Sequence, residues 1–170
     1  MAPSLAPALL LSMPQLLDQN FCHTVVLLCK HSEEGAFGLV VNRPLVTTGR
    51  DLEVWVGGPV EPERSWILVG GHEYDHLPGM RVAEHLSLST SPDLLQRLLE
   101  PDPPANVRLI VGYAGWGRGQ LEAELNASAW LIDEVDRELI FNTPSDRMWE
   151  TAIRRLGADP AALQMSRGVH

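Results

Sequence analysis

The sequence has few basic side chains, only two cysteines and no long apolar run, and each shortage removes a class of function. Lysine and arginine total 13 against 22 aspartates and glutamates, a formal charge of −9 over 170 residues. Sequence-independent binding to nucleic acid rests on phosphate neutralisation by basic groups, so direct nucleic-acid binding is not expected. Arg147, Arg154 and Arg155 share one helical segment, which reads more simply as a solvated face than as a basic patch. Cys22 and Cys29 form no C-x-x-C, and seven positions apart on one strand they would point to opposite faces. Two free thiols fit a reducing cytoplasm better than a disulfide framework. The apolar stretch Ala6 to Met13 lacks a basic flank and is too short to span a bilayer. We read it as a first strand, in a cytoplasmic protein with no membrane partner. No repeat or low-complexity tract divides the chain. With 45% hydrophobic and 21% charged residues, one domain over residues 1–170 is expected.

The most distinctive stretch runs from Leu109 to Leu125. It opens as a β-branched apolar run suited to a buried strand. Gly112, Gly115, Gly117 and Gly119 follow, interleaved with Tyr113 and Trp116, and suggest a tight, shaped turn. Leu121 and Leu125 then sit four apart, with Glu122 and Glu124 in a first helical turn. The unit reads as strand, glycine-rich turn, helix. Anion or nucleotide binding at the Gly112 to Gly119 turn is a third reading, and the spacing argues against it. A G-x-G-x-x-G from Gly115 would need glycine where Gln120 stands, and no Lys-Ser or Lys-Thr follows.

The stretches Gly112-Tyr113-Ala114-Gly115-Trp116 and Gly119-Gln120-Leu121-Glu122 resemble the signature of the YqgE/AlgH family of bacterial proteins. Met13-Pro14, His31 through Pro44, Gly57-Gly58-Pro59-Val60 and Trp130 match in the same order along nearly the whole chain. The family's biochemical role is poorly defined, and some members have been described as regulators of transcription, for instance of exopolysaccharide synthesis. The resemblance therefore implies a regulatory role. With no helix-turn-helix and no basic face, such a role would run through a partner protein rather than DNA. One departure lies at the C-terminus, where Ser166 to His170 replaces the Gly-His-Ala-like tail common in the family.

Along the chain, Leu9 to Met13 predicts a strand stopped by Pro14, and Gln15 to Asn20 a polar turn. Thr24 to Cys29 and Ala36 to Val41 predict an antiparallel hairpin around His31 to Gly35. Thr47 to Leu52 reads as loop, Leu52 to Val56 as a short strand and Trp66 to Val69 as another. Ser91, Pro92 and Asp93 open a helix whose apolar face is Leu94, Leu95, Leu98 and Leu99. Pro101 to Pro104 is a connector. Trp130 to Ile132 and Leu139 to Phe141 predict a second hairpin. Thr143-Pro144 opens a last helix with Met148, Trp149, Ala152, Ile153 and Leu156 inward and Gly157 as its cap. The sum is an α+β fold: a mixed, largely antiparallel sheet curled toward a barrel, with about three helices outside. The family resemblance implies the same.

One stretch suggests metal chemistry. His72-Glu73-Tyr74-Asp75-His76 has the H-E-x-x-H spacing with which zinc hydrolases place two imidazoles on one helix face and a glutamate beside them. Gly70-Gly71 before it and Pro78-Gly79 after it deny it a stable helix, and Val82 stands where the longer motif needs histidine. His85 is the nearest further ligand. A metal-dependent hydrolase using His72, Glu73 and His76 is therefore the alternative reading, and no cofactor is otherwise called for. Cys29 lies within an apolar run, and G-x-S-x-G is missing, so no nucleophile stands out. The candidate binding residues are those that packing does not obviously demand: Asn42, Arg43, Pro44, Gly57, Gly58, Pro59, Tyr113, Trp116, Gln120 and Glu122. Arg43, Trp116, Gln120 and Glu122 could line one cleft for a protein or small-molecule ligand, since Trp and Arg anchor interfaces.

Overall fold

The computed structural model describes residues 4–13, 23–45, 54–100 and 104–160. Pro14, the Gln15 to Asn20 turn, Cys22, the Thr47 to Leu52 loop, most of the Pro101 to Pro104 connector and the Ser166 to His170 tail lie outside them.

The two central apolar runs form β1 (Ala8–Ser12) and β2 (Val25–Ser32), and β2 turns back into β3 (Gly35–Val40). These runs show no polar alternation because both faces of the sheet are covered. On one face Leu9, Leu11, Val25, Leu27 and Leu39 join a core with Leu139, Ile140, Met148, Trp149 and Ile153. On the other, Leu10, Val26, Leu28 and Val40 pack with Leu121 and Trp130. Short strands β4 (Pro44–Leu45) and β5 (Val54–Val56) precede a long β6 (Val60–Gly70). A hairpin of β7 (Gly79–Ala83) and β8 (Leu86–Ser89) leads into helix α1 (Pro92–Leu98). Then come β9 (Val107–Trp116), α2 (Gln120–Asn126) and β10 (Trp130–Asp133). Helices α3 (Arg137–Asn142) and α4 (Ser145–Arg155) complete the described fold.

Ten strands form one sheet, in the order β10-β1-β2-β3-β9-β6-β8-β7, with β4 and β5 joined to it through β9. All its pairings are antiparallel except the parallel contact of β5 with β9. The sheet curls into a half-barrel, so the α+β expectation holds. Helices α3 and α4 fill one face, and the Trp149 indole donates to the Ser12 carbonyl at 2.8 Å. No helix among the described residues is long and apolar enough to cross a membrane.

Local signals account for most elements. The Ser91 hydroxyl accepts from Leu94 N–H, with Pro92 in the first turn, as expected for α1. Leu94 and Leu98 are buried, but Leu95 and Leu99 stay exposed, so the apolar face is narrower than the four leucines suggest. Leu156 is likewise exposed beyond α4. Leu139 to Phe141 is helix, not a strand paired with β10. Asp136 caps the segment by accepting from Glu138 N–H at 2.9 Å and Leu139 N–H at 3.3 Å, and β10 pairs with β1 instead. A three-residue apolar run carries no period, so the cap decides it.

Strand β9 departs most from expectation. It does not stop before the glycines but runs through them to Trp116. Along one edge it pairs first with β5, through Leu109, Ile110 and Val111, and then with β3, through Ala114, Gly115 and Trp116. Along its other edge it pairs with β6. Residues 57–59 therefore carry the chain from one edge of β9 to the other, a span of roughly 10 Å across two strand spacings. They pass directly against Gly112, where a Cβ would sit 2.4 Å from the Gly58 carbonyl oxygen. A Cβ at Gly58 would lie 2.2 Å from the Tyr113 carbonyl. Gly57 N–H donates to the Val111 carbonyl at 2.7 Å, and its own carbonyl accepts from Val40 N–H at 2.8 Å. These glycines serve a backbone crossing rather than a turn.

Gly112, at φ +75°, also inverts the alternation of β9. Ile110 belongs to the core under α3 and α4, and so does Tyr113, while Ala114 and Trp116 face α2. Simple alternation would have kept 110, 114 and 116 on one face.

Gly112 and Gly119 share φ +75°, but a Cβ at Gly119 meets nothing within 4 Å. Alanine at either position carries the same backbone strain, about 1 kcal/mol. Gly112→Ala should cost at least about 2 kcal/mol more than Gly119→Ala, because the crossing backbone must move. Urea unfolding of both variants measures the difference, and equal midpoints would refute the crossing as its cause.

Candidate functional site

The pairing of β2 with β3 slips between Leu28 and Lys30, leaving Cys29 as a bulged residue. A bulge shifts the side-chain phase of its strand. Cys29 stays in the α3/α4 core, whereas His31, two residues on, points across the other face to α2. There its Nε2 lies 3.3 Å from Glu122 Oε1, and its Nδ1 accepts from Leu5 N–H at 3.0 Å. An amide N–H can only donate, so Nδ1 is the bare nitrogen and Nε2 carries the proton it shares with Glu122. The imidazole is 6% exposed and the Glu122 side chain 45%.

Around this contact opens a cleft of about 570 Å³. Ser4, Ala6 and Pro7 form one wall, Cys29 to Ser32 another, and Glu34 to Phe37 with Val82 and Trp116 line the remainder. Burial pushes the Cys29 thiol up to about 12, with only partial opposition from the Lys30 ammonium. The thiol is therefore protonated and inert as a nucleophile at neutral pH. Phe37 extends the apolar lining toward Trp66 and Tyr113, with ring centroids 5.0 and 5.2 Å away.

Trp116 is held from behind. Glu124 Oε1 accepts from the Trp116 indole at 3.1 Å and from the Trp130 indole at 2.8 Å. Its Oε2 accepts from the Gln120 amide at 3.0 Å, while Gln120 Oε1 accepts from Gly117 N–H at 3.0 Å. One carboxylate thus joins β9, α2 and β10.

The expected site residues fall into two groups. Trp116, Gln120 and Glu122 gather at the cleft and its supports. Arg43, Gly58 and Pro59 line a separate depression of about 60 Å³ with Val40 and Val56, so Arg43 and Trp116 line different hollows. Asn42 is a clamp: its Oδ1 accepts from Val25 N–H, and its Nδ2 donates to the His23 carbonyl, both at 3.0 Å. Pro44 opens β4 opposite Trp55, and Gly57 and Tyr113 stand at the β9 crossing. Sequence reasoning did not single out His31, Lys30, Phe37 or Glu124. The signal available for His31 was its place at the head of the matching HSEEG stretch. For Glu124 it was an acid set between two tryptophans.

The H-E-x-x-H stretch does not form a metal centre. Residues His72–Tyr74 make one 3-10 turn after Gly71, not the α-helix that would bring positions 72 and 76 onto one face. The His72 side chain is 82% exposed, and His85 is engaged with Asp75 at 2.7 Å. Among the described residues no group of three His, Cys, Asp or Glu side chains is placed to hold a metal. The hydrolase reading is not supported.

Comparison with known proteins agrees along the whole chain. The AlgH-like family model, DUF179, matches residues 9–161. A UPF0301 protein of Myxococcus xanthus is 41% identical across 98% of this chain and 99% of its own. One from Stenotrophomonas maltophilia is 40% identical across 92% of this chain and 91% of its own. The solution structure of the AlgH protein from Pseudomonas aeruginosa superposes with a TM-score of 0.74 at 32% identity, covering 96% of this chain and 95% of that one. The crystal structure of a Corynebacterium diphtheriae protein superposes with a TM-score of 0.71 at 21% identity, a likeness of fold alone.

Two outcomes test the site's construction. Glu124→Ala strands two buried indole N–H groups and should cost about 2–4 kcal/mol by urea unfolding, whereas Glu124→Gln keeps an acceptor for both and should cost less than half of that. In Cys22→Ser protein, Cys29 should resist aromatic disulfide reagents at pH 8 until the chain unfolds. Its raised folded-state value leaves stability intact below the ordinary 9.0 and lowers it as pH climbs toward about 12, because only the unfolded chain ionises there.

Proposed function

The chain belongs to the AlgH-like family, and from that premise we propose that it is a non-enzymatic binding module whose ligand seats in the cleft beside Trp116. The observation that carries the reading is the state of the cleft's reactive groups. Cys29 is a protonated thiol, and both nitrogens of His31 are engaged, one by a backbone amide and one by Glu122. A thiol held protonated and an imidazole tied at both nitrogens leave the cleft without a free nucleophile or general base. The opening has a mixed lining: Phe37, Val82 and Trp116 are apolar, Ser4 and Ser32 offer hydroxyls, and the Lys30 ammonium and the Glu34 carboxylate bring one charge of each sign. Such a surface suits a small molecule or a short partner segment with an apolar body and polar groups at one end.

In this reading any regulatory effect runs through the bound partner, in the cytoplasm, and not through DNA. The charge of −9 and the pair of cysteines support that reading.

A fragment library observed by amide NMR tests it. Binders should perturb Lys30, Ala36, Phe37 and Trp116 together. Ser32→Trp, which lays an indole over the exposed mouth, should weaken them at least tenfold with the fold intact. Binders that map only elsewhere, or that ignore Ser32→Trp, would remove the cleft as the site.

A further inference from the structure

Residues 4–7 wall the cleft, yet little ties them there. Ser4, Ala6 and Pro7 face the opening, and Leu5 and Ala6 lean on the edge of the core beneath α2. The hydrogen bonds between Ser4 Oγ and Ala6 are internal to the segment. Among the described residues, the bond that fixes it to the sheet is Leu5 N–H to His31 Nδ1 at 3.0 Å. Strand pairing begins only at Ala8.

That bond exists only for a neutral imidazole. Nε2 already holds a proton directed at Glu122, so the next proton can add only at Nδ1. Once there, it faces the Leu5 N–H donor with a second donor. The bond is lost and replaced by a repulsive contact, while the new positive charge is drawn to Glu122. One protonation event therefore loosens the wall and tightens the contact with α2. The charged groups around the ring are Glu122 from α2, Lys30 on its own strand and Glu34 in the hairpin turn.

We propose that His31 is a proton-operated latch on the cleft: neutral, it holds residues 4–7 closed against the sheet; protonated, it lets them go. The inference deepens the binding-module reading, and rests on it for the meaning of the cleft. The latch itself is defined without any ligand. The device makes access to the site depend on the charge of one imidazole. It needs no large motion. Release of four residues next to the first strand changes one wall and leaves the sheet as it is.

The test is amide exchange and imidazole nitrogen NMR on the ligand-free protein between pH 8 and pH 5. At pH 8 the ring should show the Nε2–H tautomer, and the Leu5 amide should be protected. As the ring charges, Leu5 protection, corrected for intrinsic exchange, should fall roughly five- to tenfold, the worth of one hydrogen bond. Amides of Leu9 to Leu11 should not follow. His31→Gln retains an acceptor for Leu5 and a donor for Glu122 but cannot be charged, so Leu5 should stay protected throughout. His31→Ala should leave it unprotected throughout. A charged His31 with Leu5 still protected, or a ring that stays neutral to pH 5, overturns the latch. Because no ligand is present, failure here is separable from failure of the cleft to bind.

Discussion

The structure depends on one close crossing of backbones. Strand β9 is the seam of the half-barrel, bordered by β6 on one edge and by β5 and then β3 on the other. The chain must pass from β5 to β6 within residues 57–59, and it can do so only across β9 itself. At that point a Cβ on Gly57, Gly58 or Gly112 would fall within 2.5 Å of a carbonyl oxygen on the crossing partner. Glycine there is a requirement of volume before it is one of torsion. The same position lets β9 exchange one edge partner for another and turn its side chains over. Without that turn Trp116 would enter the core under α3 and α4, and the indole pair anchored by Glu124 could not form.

A second phase shift, at Cys29, completes the site. Undisturbed alternation along β2 would send His31 into the same core as Val25, Leu27 and Cys29. The bulge turns it toward α2 instead, where it meets Glu122. Strands β2 and β9 are separated only by β3, so the two shifts bring His31 and Trp116 to the same side of the sheet. The cleft lies where two strands break their own period. That fits a general tendency: bulges gather where a sheet must aim side chains rather than merely stack them.

This also explains what the sequence could and could not tell. Long apolar runs announced β1, β2 and β3, and the Ser91-Pro92 start of α1 was legible because its cap is chemistry local to four residues. The tight HSEEG turn gave the hairpin for the same reason. Leu139 to Phe141 was misread because three apolar residues have no period and the deciding Asp136 cap sits outside them. The glycines of β9 were misread more instructively. Glycine permits turns and close approaches alike, and only the partner backbone, some fifty residues earlier in the chain, distinguishes the two. The H-E-x-x-H spacing failed because its geometry is a property of an α-helix, and Gly71, Pro78 and Gly79 leave it a single 3-10 turn.

The loudest motifs turn out to be architecture. Asn42 spends its amide on holding β2, Gly57, Gly58 and Gly112 build the crossing, and Gln120 and Glu124 brace two indoles. Groups committed in this way first of all hold the fold together. The groups with capacity remaining are quieter in the sequence: Lys30, Phe37, the outer face of Trp116 and the bare Nδ1 of His31, which is committed only to a backbone amide that can leave. A residue's prominence in a pattern therefore measures how hard the fold is to build at that point. In the proposed latch the contact that exchanges is not one of these braces but the single bond between His31 and Leu5.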